Sequence, residues 1–167
     1  MLISQENVEK RIGELAKQIS EVYAGKELHM ICILKGSVFF ACELAKCMTI
    51  PVTLDFMSVS SYGDEMKSSG IVKIVKDLDH PIEGRDVLLV EDIIDSGNTL
   101  FYLRGILEKR NPASIAIATL LDKPERRETQ VPVNYVGFEV PDKFIVGYGL
   151  DCGQKYRNLP YIGVIEN

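Results

Sequence analysis

The chain of 167 residues has no tryptophan, only two histidines, and four cysteines without a CxxC spacing. The missing CxxC pairs argue against a zinc ribbon or a dithiol redox site. No apolar run approaches the ~20 residues of a membrane span, and the first ten residues lack the basic and then apolar order of a secretory signal. Unpaired thiols are typical of a reducing compartment, so we expect a cytoplasmic protein with no membrane partner.

Charge is the second feature that limits the choice of function. The net charge is −5, with 46% hydrophobic and 26% charged residues. This composition is typical of a globular domain, and the acidic balance argues against a nucleic-acid partner held by general electrostatics. There is no internal repeat, and the length fits one domain spanning residues 1–167.

Strand-length apolar runs alternate with helical patterns along the chain. Helices are predicted at residues 4–24, 38–48 and 98–110, and strands at 28–34, 52–62, 71–76, 86–90, 114–121, 134–140 and 144–150. This alternation predicts an α/β domain with a mainly parallel sheet flanked by helices. Ligands bind at the strand-end loops of such sheets.

The stretch "VLLVEDIIDSGNT", residues 87–99, carries the strongest chemical signal. A buried strand reaches Glu91 and Asp92, a pair of carboxylates that suits sugar hydroxyls or a hard cation such as Mg²⁺. In the loop that follows, Gly97 allows a tight turn, and free N–H groups at a helix start form a phosphate cradle. The fitting ligand is a sugar phosphate. The alternative is a solvated turn with an ordinary helix cap.

The same stretch resembles the signature of the type I phosphoribosyltransferases, which bind 5-phosphoribosyl-1-pyrophosphate. Four more segments resemble the 6-oxopurine branch of that family in the same order: "ILKGS" (33–37), "SVSSYG" (58–63), "LLDKPERR" (120–127) and "VGFEVPDKFIVGYGLDCGQKYRNLPYIGVI" (136–165). The similarity covers essentially the whole chain. It implies the type I phosphoribosyltransferase fold, with a small hood lobe built from the N-terminal and C-terminal segments and a flexible lid loop.

The resemblance assigns roles around the ribose and its phosphate. Glu91 and Asp92 would hold the ribose hydroxyls and Mg²⁺, and Asp151 would be a second position on the metal and purine side. Asp95 would be the general base that acts on the proton at purine N7, a role that a carboxylate can serve if it is within hydrogen-bond reach of that nitrogen. The 5′-phosphate would be bound by Asp95, Ser96, Gly97, Asn98 and Thr99, with Asn98 where some relatives have lysine.

Further positions match the pyrophosphate loop and the lid. Lys35 and Gly36 would bind pyrophosphate, and in this family the peptide before that lysine can be cis. Arg157 would be a further pyrophosphate contact, because its planar and permanently charged fork suits a phosphate. Arg127 would be another contact. The lid would include Ser61 and Tyr62. The alternatives are a solvated lysine, a surface ion pair and an ordinary hairpin loop.

The purine site is implied by three residues in the second half of the chain. Lys123 would donate to the 6-oxo oxygen, Phe144 would stack on the base, and the backbone of Ile145 would recognise the purine edge. The alternatives are an exposed charge for the lysine and core packing for the two apolar residues.

The resemblance therefore implies a purine-salvage enzyme. It would use Mg²⁺ and transfer phosphoribose from 5-phosphoribosyl-1-pyrophosphate to N9 of hypoxanthine or guanine, and it would form a dimer or tetramer. The alternative is a protein of the same fold that binds RNA and regulates nucleotide genes. The acidic charge and the purine-site residues argue against that alternative.

Overall fold

The computed structural model describes residues 1–61 and 72–166, without the side chain of Ser61. The helices are α1 (Gln5–Val22), α2 (Val38–Cys47) and α3 (Asn98–Glu108), and a short 3₁₀ helix spans Pro124–Arg126. The strands are β1 (Leu28–Leu34), β2 (Val52–Ser61), β3 (Val72–Lys76), β4 (Asp86–Ile94), β5 (Ser114–Asp122), β6 (Tyr135–Glu139), β7 (Ile145–Val146) and β8 (Gly163–Val164). None of the helices in the described ranges has the length and apolar character needed to span a bilayer.

Six strands form one sheet in the order β3-β2-β1-β4-β5-β6. All neighbours pair in parallel except β2 and β3, which are antiparallel. The prediction of an α/β domain with a mainly parallel sheet is confirmed. Strands β7 and β8 form a separate antiparallel pair, and Ile3 near the N-terminus bridges to Ile162 close to β8.

Helices cover both faces of the large sheet. The hydroxyl of Ser4 caps α1 by accepting from the N–H of Asn7 (3.2 Å), as expected for a serine at this position. One face of α1 is buried and packs with α2 against one face of the sheet. Helix α3 packs against the other face, where Leu103 belongs to the same cluster as Ile31 and Leu89. The two clusters bury the alternate side chains of β1 and β4, because successive strand residues point to opposite faces.

Strand β4 is longer than predicted. It runs to Ile94, four residues past the expected end, because Glu91 and Ile93 continue the parallel ladder with Thr119 and Leu121 of β5. The acidic pair therefore lies within the last half of the strand.

The expected strand at 144–150 is shorter than predicted, since only Ile145–Val146 is a strand. Gly147 (φ 97°) and Gly149 (φ 101°) turn the chain directly after it. Strand β8 and the 3₁₀ helix had no clear signal in the sequence. The polar loop predicted at 63–70 and the lid residue Tyr62 lie outside the described residues.

Gly137 of β6 offers a stability test. A Cβ at this position would overlap the backbone carbonyl of Leu120 on β5, whereas a Cβ at Gly105 on α3 would have nothing within 4 Å. We expect Gly137→Ala to lower the free energy of unfolding by about 1–3 kcal/mol through overpacking. Gly105→Ala is the control and should raise it by about 0.5–1 kcal/mol. Urea unfolding measures both, and equal effects of the two substitutions would contradict this packing.

Candidate active site

Three neighbouring parallel strands bring three loops to one edge of the sheet. Strands β1, β4 and β5 lie side by side, so their carboxyl ends open at the same edge. Lys35 follows β1, Asp95 follows β4 and Lys123 follows β5. Loops at such an edge are the usual ligand site of an open α/β sheet.

A cavity of about 190 Å³ lies at the end of β4 and the start of α3. It is lined by Glu91, Ile93, Ile94, Asp95, Ser96, Gly97, Thr99 and Leu100. Gly97 caps α3 in the left-handed conformation (φ 84°), so the expectation of a tight turn at this glycine is confirmed. Five of the seven residues predicted for ribose and 5′-phosphate therefore surround one cavity.

Asn98 is not among the lining residues. Its side-chain amide donates to Glu128 Oε2 (2.9 Å), and its amide oxygen accepts from the hydroxyl of Thr129. The backbone N–H of Asn98 donates to Ser96 Oγ (3.2 Å). Asn98 thus joins the loop to a neighbouring segment, and its predicted contact with phosphate stays a prediction.

Glu91 and Asp92 face different sides of the end of β4. Glu91 lines the cavity, whereas the Asp92 carboxylate lies against Gly36, where an added Cβ would overlap it. Burial, followed by the charge of Asp92, raises the pKa of Glu91 well above its usual range. Burial also raises the pKa of Asp92 to about 6, although the N–H of Ile93 and the charge of Arg157 oppose the rise. Two poorly solvated carboxylates side by side favour binding of a cation or a hydrogen-bond donor.

Lys123 is held between the loops. Only 8% of the residue is exposed, its backbone N–H donates to Ile94 O (3.0 Å), and its ammonium lies 3.7 Å from Asp95 Oδ1. The interpretation of Lys123 as an exposed charge is therefore wrong.

The loop after β1 presents a lysine next to the C-terminal segment. The Leu34–Lys35 peptide is cis. The ammonium of Lys35 donates to Gln154 Oε1 (3.3 Å), and the same oxygen accepts from Arg157 Nη2 (3.1 Å). The two cations predicted to bind pyrophosphate thus converge on one side-chain oxygen.

Asp151 and Arg157 belong to the same group. Asp151 Oδ1 lies 3.3 Å from Arg157 Nη2, and Asp151 Oδ2 accepts from the N–H of Gln154 (2.8 Å). Arg157 Nη1 donates to Gly149 O (2.6 Å). Its buried Nε has no partner within the described parts of the chain. The guanidinium is fixed in direction before any ligand binds.

The two apolar residues assigned to the purine differ in exposure. Phe144 is 55% exposed, so core packing does not account for its side chain. Ile145 is 5% exposed and pairs with Val164 of β8, so its side chain belongs to the core and only its backbone is available to a ligand.

The described residues contain no group of three or more His, Cys, Asp or Glu side chains placed to hold a metal by themselves. Two carboxylates at the strand end are compatible with Mg²⁺, which keeps several waters and often binds through one or two carboxylates and substrate phosphates.

Two residues that support this site, Gln154 and Asp122, were not predicted as its members. Gln154 bridges the cations, and Arg127 with Asp122 supports the loop after β4. Gln154 contacts Lys35, and Arg127 contacts the main-chain carbonyl of Asp95. Both pairs are far apart in sequence, and no residue spacing marks such contacts.

Comparison with known proteins agrees with this geometry. Residues 1–152 match the phosphoribosyl transferase domain family. The chain is 52% identical to a hypoxanthine phosphoribosyltransferase of Salmonella typhimurium (99% of this chain, 94% of the relative) and 51% identical to a hypoxanthine-guanine phosphoribosyltransferase of Streptococcus thermophilus (99% and 92%). It superposes with a TM-score of 0.96 on the crystal structure of a hypoxanthine-guanine phosphoribosyltransferase from Bacillus anthracis, at 48% identity over 99% of this chain and 98% of that chain. The chain therefore belongs to the phosphoribosyl transferase domain family and has its type I fold.

Proposed function

We propose that this protein transfers phosphoribose from 5-phosphoribosyl-1-pyrophosphate to N9 of hypoxanthine or guanine, giving IMP or GMP and pyrophosphate. The observation that carries the proposal is the facing pair of Lys123 Nζ and Asp95 Oδ1, 3.7 Å apart beside the phosphate loop. A donor and an acceptor placed together match the 6-oxo oxygen and the N7–H of one purine edge. The near full-length similarity to purine enzymes supports the same substrates.

On the purine side, Lys123 donates to the 6-oxo oxygen and Asp95 accepts the N7 proton as N9 attacks C1′. The exposed ring of Phe144 stacks on the base. Backbone groups of Ile145, with Asp151 nearby, contact the other edge of the purine. The N9–C1′ bond forms while the C1′–pyrophosphate bond breaks, and no covalent enzyme intermediate is required. Catalysis is then positioning and electrostatic stabilisation.

On the phosphate side, the turn from Asp95 to Thr99 binds the 5′-phosphate through N–H and hydroxyl groups. Lys35, Gly36 and Arg157 bind pyrophosphate, whose oxygens replace the shared oxygen of Gln154 as the acceptor of both cations. A phosphate is the stronger acceptor because its hydrogen bonds are charge-assisted on both sides.

Mg²⁺ would fit beside Glu91 and Asp92, because burial raises the pKa of both carboxylates and a nearby cation would favour their charged forms. The ion would neutralise charge on the leaving pyrophosphate. Asp151, a third predicted metal-side residue, has its carboxylate oriented by Gln154 and Arg157, so contact with the ion through water fits it better than direct ligation.

The alternative of an RNA-binding regulator has no support among these relatives, which are named as purine enzymes. The hood lobe, the lid at Ser61 and Tyr62, a cytoplasmic location and a dimer or tetramer remain predictions.

A transfer assay tests the function directly. With 5-phosphoribosyl-1-pyrophosphate and Mg²⁺, we expect turnover of hypoxanthine and guanine, and on the order of 10³-fold lower kcat/KM for adenine, because Lys123 can only donate and adenine presents an amino group there. Excess chelator should abolish turnover. Comparable kcat/KM for adenine would argue against the assignment of Lys123, and no turnover of any purine would refute the proposed activity.

Asp95→Asn tests whether Asp95 acts as the general base or only shapes the loop that binds the 5′-phosphate. The backbone oxygen of Asp95 accepts from Arg127 Nε (3.2 Å), so the amide should leave the loop in place. We expect a single-turnover rate about 10²–10⁴-fold lower, with little change in affinity for 5-phosphoribosyl-1-pyrophosphate. Asp79→Asn, an exposed carboxylate paired with Lys76, is the control. A wild-type single-turnover rate in Asp95→Asn would exclude the general-base role.

The half-buried acids Glu91 and Asp92 predict a pH dependence of stability without ligands. The pKa of Asp92 is about 6 in the folded chain against 3.8 for the free group. The folded state therefore binds more protons in this interval, and its stability should fall as pH rises from about 4 to 6. Asp92→Asn should remove this component, whereas the exposed Glu125→Gln should keep it. Urea unfolding across this pH range measures the difference, and parallel profiles for the wild type and Asp92→Asn would contradict the shift.

A further inference from the structure

The turn between β4 and α3 is bound along its outer side by residues 123–129, here called the anchoring segment. Three consecutive carbonyl groups of the turn accept hydrogen bonds from it: Ile94 O from Lys123 N (3.0 Å), Asp95 O from Arg127 Nε (3.2 Å), and Ser96 O from both Glu128 N (2.9 Å) and Thr129 N (3.0 Å). The turn thus depends on a segment that is distant in sequence.

These contacts determine where the N–H groups of the turn point. A trans peptide is planar, and its C=O and N–H point in opposite directions. Because the carbonyls of Asp95 and Ser96 point to the anchoring segment, the N–H groups of Ser96 and Gly97 point the other way, toward the cavity that these residues line. The orientation of the N–H donors in the phosphate cradle therefore depends on the hydrogen bonds that the anchoring segment makes to these carbonyls.

Arg127 is the one side chain of the anchoring segment that binds these carbonyls. Its Nη2 donates to Asp122 Oδ1 at the end of β5, while its Nε donates to Asp95 O. The side chains of Arg127 and Asp122 are each only 13% exposed. The Cδ of Arg127 lies 3.0 Å from where a Cβ of Gly97 would be. A guanidinium can serve both acceptors at once because its donors form a rigid planar fork.

We propose that Arg127, held by Asp122, is a positioning residue for 5′-phosphate binding, because it orients the Asp95–Ser96 peptide so that its N–H faces the phosphate. This inference rests on the proposed function. Arg127 acts through the loop, and the ligand contact belongs to the peptide that it holds.

Arg127→Lys tests the inference without changing the charge. A lysine can pair with Asp122 but has no second donor fixed toward Asp95 O. Arg126→Lys is the matched control, since Arg126 is 55% exposed and its side chain pairs with Asp142 on the surface. The measurement is the ratio of the dissociation constant for inosine to that for IMP, which isolates the contribution of the phosphate.

We expect Arg127→Lys to lower this ratio on the order of tenfold, the value of one well-placed hydrogen bond to a charged group, and to leave the affinity for inosine unchanged. The ratio in Arg126→Lys should equal that of the wild type. An unchanged ratio in Arg127→Lys would overturn the proposal, since charge alone would then suffice. Equal weakening of inosine and IMP would overturn it as well, because the effect would then lie on the purine side.

Asp122→Asn is a second variant that tests the same inference if Arg127→Lys does not fold. It weakens the partner that fixes the guanidinium, so the ratio should fall in the same direction by roughly threefold, and an unchanged ratio would overturn the proposal. A wild-type protein without measurable affinity for IMP would instead contradict the proposed function. The two failures are therefore distinguishable.

Discussion

The parallel pairing of β4 with both β1 and β5 is the constraint on which the site depends. Because β4 is hydrogen-bonded on both sides, its end is fixed relative to the loops that follow its neighbours. The register that pairs Glu91 with Thr119 brings the strand end beside Lys123. A shift of one residue would move every side chain of β4 to the opposite face. It would take Glu91 out of the cavity and bury a carboxylate among apolar side chains.

Each cation of the site already has an acceptor within the protein. Lys123 faces Asp95, and Lys35 shares Gln154 Oε1 with Arg157. These side chains are therefore oriented before substrate arrives, which reduces the ordering needed on binding. Glu91 and Asp92 differ from these cations, since burial raises the pKa of both carboxylates. The cations of the site are thus paired within the protein, whereas burial disfavours the charged forms of Glu91 and Asp92.

The sequence was sufficient for the features that depend on local patterns. Apolar periodicity predicted the α/β alternation, and Gly97 predicted the tight turn before α3. Local patterns failed where neighbours in space decide the structure: β4 continues past the acidic pair because β5 pairs with it, and the strand expected after Phe144 stops where glycines turn the chain. Residues 87–99 indicated a sugar-phosphate site by themselves. The purine-side and pyrophosphate-side residues were assigned by resemblance to a family, and their geometry became visible only in the structure.

If backbone donors of the turn bind the phosphate, as proposed, the residues that touch the ligand differ from the residues that determine how well it binds. Asn98 illustrates the difference. Its side chain joins Glu128 and Thr129, and so it adds to the contacts that hold the turn. A change at this position can alter the orientation of the donors as well as the local charge, and the two effects need not have the same sign.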